Sequence, residues 1–186
     1  MLLCRASLPR AMLAMQSNLR TLSTMKDEYA KMDASGETYL TRNFMLESGQ
    51  VLPQAQVRYK TFGKLNAKRD NLFVVCHALT GNSSLEQWWG SMLGPGKTFD
   101  TDKYLVVCAN VLGSCYGSTG PRSINPKTNT PYGVDFPQVT IRDTVRLHME
   151  MCKLGIGAER ASAVVRSVAC LSAQFCCEKS LVRTIR

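Results

Sequence analysis

Two runs, Leu72-Phe-Val-Val-Cys76 and Leu105-Val-Val-Cys-Ala109, constrain this chain more than any other feature. Each is apolar at every position and is flanked by polar residues. A strand with one wet face alternates, so an unbroken apolar run of this length implies burial on both faces. That is the situation of a strand inside a parallel, helix-covered sheet. A chain of 186 residues, 45% of them hydrophobic, has material for one such core and too little for two large ones. No window approaches the ~18 consecutive apolar residues of a membrane span, so the runs read as core strands and a membrane role is set aside.

The segments around the runs extend the pattern. Tyr39–Leu46 and Val57–Phe62 alternate imperfectly about the turn signal Ser48-Gly49-Gln50, which predicts a β-hairpin. Leu85–Met92 is compatible with a short helix. Gly113–Pro137, rich in Gly, Ser, Pro and Asn, is long for a loop inside a domain, and such loops are usually functional or disordered. Thr140-Ile-Arg-Asp143 fits a capping box. It opens a helix whose expected buried face is Ile141, Val145, Met149 and Cys152, with Gly155 as its stop. Ala161–Val165 reads as the next buried strand.

The ends differ from this middle. Met1–Lys26 carries Arg5, Arg10, Arg20 and Lys26 without an acid. Residues 157–186 carry five cations against Glu159 and Glu178, so the two ends supply seven of the nine net positive charges. The middle is near neutral and holds no basic stripe with interleaved aromatics, which argues against nucleic-acid binding. The Arg-, Ser- and Leu/Met-containing start resembles a mitochondrial presequence, with a plastid transit peptide or a cytoplasmic protein with a disordered tail as alternatives. The eight cysteines include no C-x-x-C pair, and Cys76 and Cys108 sit inside the apolar runs. Free thiols in a reducing compartment are expected, and no metal site. Residues 1–38 thus read as leader, 39–165 as the folded part and 166–186 as a basic, Cys-rich tail.

The first run leads directly into His77-Ala-Leu-Thr-Gly81. In α/β-hydrolases the loop after this strand supplies one backbone N–H of the oxyanion hole, and a small Gly-containing segment lets that amide face the pocket. His77, Thr80 and Gly81 would support that loop. The nucleophile of the fold sits on a G-x-S-x-G elbow after the strand that follows the capped helix. Here that position reads Val165-Arg166-Ser167-Val168-Ala169, a serine without either glycine. The fold also takes its triad in the order Ser, Asp or Glu, His, yet the chain's two histidines, His77 and His148, both precede Ser167.

With these residues in view, the middle of the chain resembles the homoserine O-acetyltransferase family. The likeness is carried by Tyr59-Lys-Thr-Phe-Gly63, Cys76-His-Ala-Leu-Thr-Gly81, Trp88-Trp89, Gly94-Pro-Gly-Lys97 and Asn110-Val-Leu-Gly-Ser-Cys-Tyr-Gly-Ser-Thr-Gly-Pro121. Ser123-Ile-Asn-Pro126, Ile141-Arg-Asp143 and Leu154-Gly-Ile156 continue it. The resemblance runs from about Tyr39 to Val165.

It implies an α/β-hydrolase fold of which this chain holds the N-terminal hairpin and first parallel strands. It further implies acetyl transfer from acetyl-CoA to the L-homoserine hydroxyl in methionine biosynthesis, through an acyl-serine and without a bound cofactor. Relatives that acylate L-serine, or take a succinyl donor, are the alternatives. Leu79 falls on the oxyanion-hole position. Ser167 is the nearest candidate nucleophile, and Val168 after it would give the second oxyanion N–H. After Val165 the likeness ends, as a frameshift, retained intron or mispredicted gene end would make it. The expectation is a truncated, inactive acyltransferase, insoluble alone through its open sheet edge. A non-catalytic interaction fragment, pairing with a full-length copy as a homo-oligomer, is the competing reading.

Overall fold

The structure, a computed structural model, describes residues 35–78 and 81–166. All of them lie in the second of the two units into which the chain divides, Asp33–Arg186. Residues 1–34 of the expected leader and the tail after Arg166 lie outside the described residues, whereas Glu37 and Thr38, at the leader's expected end, belong to the first strand of the sheet.

The two apolar runs form β5 (Leu72–Cys76) and β6 (Leu105–Ala109), paired in parallel with Leu72 opposite Leu105 and Val75 opposite Cys108. Their alternate side chains supply two separate cores. Leu72, Val74, Leu105, Val107 and Ala109 pack on one face with Leu147, Met151 and Cys152. Phe73, Val75, Val106 and Cys108 pack on the other with Leu85 and Phe99. Both faces are covered, which is why neither run contains a polar position.

With β1 (Glu37–Leu40), β4 (Gln56–Phe62) and β9 (Ala161–Arg166) the sheet has five strands among the described residues, in the order β1-β4-β6-β5-β9. Strand β1 pairs antiparallel with β4, and β4 pairs antiparallel with β6. Strand β9 joins the far side of β5 in parallel, with Val74 opposite Val164 and Cys76 opposite Arg166. The expected hairpin is therefore corrected. The turn at Ser48-Gly49-Gln50 closes a smaller hairpin of β2 (Asn43–Met45) and β3 (Val51–Pro53), inserted between β1 and β4. Leu40 and Gln56 are directly paired, so the chain turns away after Leu40 and the continuous strand expected over Tyr39–Leu46 breaks.

Leu85–Trp88 forms one short helical turn, α1, followed by a 3₁₀ turn at Gly90–Met92. The capped helix, α2, is Ile141–Glu150. The Thr140 hydroxyl accepts the Asp143 N–H at 3.1 Å, and the Asp143 carboxylate accepts the Thr140 N–H at 3.0 Å. The expected buried face is rotated, however. Thr144, Val145, Leu147, Met151 and Cys152 are buried, while Ile141 and Met149 are only half-buried. The last turn, Met151–Gly155, is a π-helix, which is wider than 3.6 residues and shifts the phase of the side chains that follow. Gly155 is also not a left-handed stop. A Cβ there would lie 2.8 Å from Cδ2 of Tyr39, so a close approach between helix and β1 requires this glycine.

Gly113–Pro137 holds a minimal hairpin, β7 (Ile124–Asn125) with β8 (Thr130–Pro131), and a 3₁₀ turn at Gly133–Asp135. Among the described residues Cys76, Cys108, Cys115 and Cys152 are not in disulfides. No helix among them is long and apolar enough to cross a membrane.

Candidate active site

The C-terminal ends of β5, β6 and β9 lie side by side at one edge of the sheet. In open α/β sheets this carboxyl end of the parallel strands is where ligands bind. The residue after β5 is His77, 4% exposed. Its Nδ1 lies 2.8 Å from the Ala78 carbonyl oxygen. A carbonyl only accepts, so Nδ1 carries the proton and Nε2 is left as a lone pair. That Nε2 is buried and has no partner among the described residues.

The same Ala78 oxygen accepts the Gly81 N–H at 2.8 Å, closing a tight loop braced by the imidazole. A Cβ on Gly81 would come 3.2 Å from the Ala78 oxygen and 3.3 Å from the His77 Cβ, so the loop closes on a residue without one. The bond encloses positions 79 and 80. Leu79 and Thr80 themselves lie outside the described residues, as do Ser167 and Val168. What the structure does place is the strand that leads to Ser167. Its last residue, Arg166, is the register partner of Cys76, so β9 delivers its C-terminus beside the start of the His77 loop.

Beyond Gly81 the loop is anchored by residues that the sequence did not single out. Asn82, Ser83 and Ser84 are all buried. The Asn82 side-chain oxygen accepts the Ser84 N–H at 3.0 Å, and its carbonyl accepts the Trp88 indole N–H at 3.2 Å. An Asn-Ser-Ser triplet just before a helical turn was the available signal, since these residues offer oxygens to free backbone amides.

The end of β6 is held in a similar way. Asn110 is completely buried. Its N–H donates to the Arg58 carbonyl at 2.9 Å, and its side-chain amide donates to the Tyr116 carbonyl at 2.6 Å. Its own carbonyl accepts the Ser118 hydroxyl at 2.9 Å and Nε2–H of His148 at 3.1 Å. Ser118 also accepts the Arg58 N–H at 3.1 Å, and Thr119 accepts the Gln56 N–H at 2.7 Å. The start of the long loop is thus fastened along β4. A fully polar residue directly after an apolar run was the sequence cue, but its partners lie too far along the chain to be read.

His148 projects from α2 to the same end of the sheet, where it lines a small cavity with His77, Cys76 and Cys152. Burial pushes its pKa down to about 4, and His77 nearby pushes the same way, against the Asn110 hydrogen bond. It is therefore neutral at pH 7 and donates from Nε2. Each histidine of the chain thus has one ring nitrogen on a backbone carbonyl, and among the described residues neither has a carboxylate partner. No group of three or more His, Cys, Asp or Glu among those residues is placed to hold a metal ion.

No family model matches the chain. A homoserine O-acetyltransferase of Nostoc punctiforme is 52% identical over 122 residues, which are 65% of this chain and 34% of that protein. One of Chlorobium chlorochromatii is 52% identical over 123 residues, 66% of this chain and 34% of that protein. Among solved structures, homoserine O-acetyltransferase from Bacillus anthracis matches with a TM-score of 0.63 and 33% identity, covering 72% of this chain and 39% of that one. Esterase E22 matches with a TM-score of 0.63 and 31% identity, covering 70% and 39%. The chain spans about a third of the length of the curated relatives it matches. Over that third the chain is homologous to homoserine O-acetyltransferases, and its strand order is that of part of the α/β-hydrolase fold.

Proposed function

We propose that this chain carries the acyl-site scaffold of a homoserine O-acetyltransferase-like enzyme, which moves an acetyl group from acetyl-CoA to the L-homoserine hydroxyl. The observation that carries this reading is the 52% identity to a homoserine O-acetyltransferase over 122 residues of this chain. In this reading the Leu79 N–H, enclosed by the Ala78–Gly81 bond, is one oxyanion donor. Ser167, one residue past the strand beside β5, is the nucleophile, and the Val168 N–H is the second donor.

These 186 residues alone do not turn over, in our reading. The fold draws its base from a histidine after the nucleophile, and His77 and His148 both precede Ser167. His148 moreover spends its Nε2–H on Asn110. A hydrolytic relative is the second reading, favoured by the equal match to esterase E22; water would then replace the amino-acid hydroxyl as acyl acceptor. Residues 1–25 serve, in the same proposal, as a mitochondrial targeting segment, tested by the location of a fluorescent protein fused to them.

Two experiments test the proposal. Residues 39–165 are exchanged for the matching segment of the Nostoc punctiforme relative, and product is followed by mass spectrometry with L-homoserine, L-serine or water as acceptor. Retained transfer to L-homoserine is expected; a folded chimera that only hydrolyses acetyl-CoA would favour the esterase reading. The full 186-residue chain should give no product above a Ser167→Ala control. Turnover that this substitution removes would overturn the claim of inactivity.

A further inference from the structure

We draw no further inference here: the strongest candidate, the small cavity at the ends of β5 and β6 lined by His77, whose buried Nε2 has no partner among the described residues, and by His148, belongs to the acyl-site scaffold already described, and nothing among those residues shows what would fill it.

Discussion

His148 on α2 donates its Nε2–H to the backbone carbonyl of Asn110 at 3.1 Å, and so ties the capped helix to the end of the central strand β6. The same carbonyl takes the Ser118 hydroxyl, so one oxygen holds both the helix and the long loop. The bond itself would survive protonation, but the confined, mostly apolar setting favours the neutral imidazole, and that gives the protein an acid-sensitive point.

The folded pKa of His148 lies at about 4, below the ordinary 6.5. The unfolded chain therefore takes up the proton first as pH falls. No penalty exists above pH 6.5. Stability is lost progressively from there down to about 4, by an amount on the order of 2–3 kcal/mol once completed. Urea midpoints measured at pH 7.5 and 4.5 should converge in His148→Gln, which keeps a donor and does not titrate. An acid loss just as large in that variant would mean that other groups govern it.

Asp143 is the second hinge of the fold, and its carboxylate does more than cap α2. It also accepts the Glu47 N–H at 2.9 Å, which fastens the β2–β3 hairpin to the helix start. Since Asp143 is fully buried, Asp143→Ala leaves two amides without their acceptor. A loss of about 2–3 kcal/mol is expected, against about 1 kcal/mol for Thr140→Ala, which removes the cap oxygen and its exposed bond to the Glu47 carboxylate but leaves the buried Asp143 acceptor in place. Equal losses in denaturant titrations would show that the hairpin contact contributes nothing.

Gly155 and Tyr39 meet edge to backbone. The methyl group of Gly155→Ala would overlap the ring at 2.8 Å, while the ring is held by the Tyr39 hydroxyl donating to Glu150 at 2.8 Å. Overpacking of this kind costs roughly 1–3 kcal/mol. Tyr39→Ala made in the Gly155→Ala background should recover part of it. A double-mutant cycle without coupling would place the strain elsewhere.

How far the sequence carried the fold follows from what each segment must satisfy. Leu72–Cys76 and Leu105–Ala109 were legible because burial on both faces leaves no choice of residue. The helix start was legible because Thr140 and Asp143 make their bonds within four positions. The helix face was not, because the polar Asp143 and Thr144 are buried on it while Ile141 and Met149, which fit an apolar spacing, are only half-buried, so apolar pattern and burial part company. The small β2–β3 hairpin was hidden for a related reason: pairing Leu40 with Gln56 places a strand break inside a segment whose alternation barely changes. At the site, His77 and Gly81 were visible as a strand-end motif. Asn110 was not, since its bonds reach Arg58, Tyr116, Ser118 and His148, and only the folded chain brings those together.

His77 itself gives the sharpest test of the loop. Its Nδ1–H braces the Ala78 carbonyl, yet its Nε2 is a buried acceptor with no donor among the described residues, and such a group costs about 1–3 kcal/mol. His77→Leu removes the brace and the orphaned nitrogen together, so the two effects oppose one another. Global stability should change by less than about 1 kcal/mol. The Gly81 amide, which shares the Ala78 oxygen with the imidazole, should nonetheless exchange with solvent faster, because one of the two bonds that fix that oxygen is gone. Hydrogen exchange followed by NMR separates the outcomes. Unchanged Gly81 protection with unchanged stability would reduce His77 to a space-filling residue; faster exchange at constant stability would identify it as the group that holds the loop in shape.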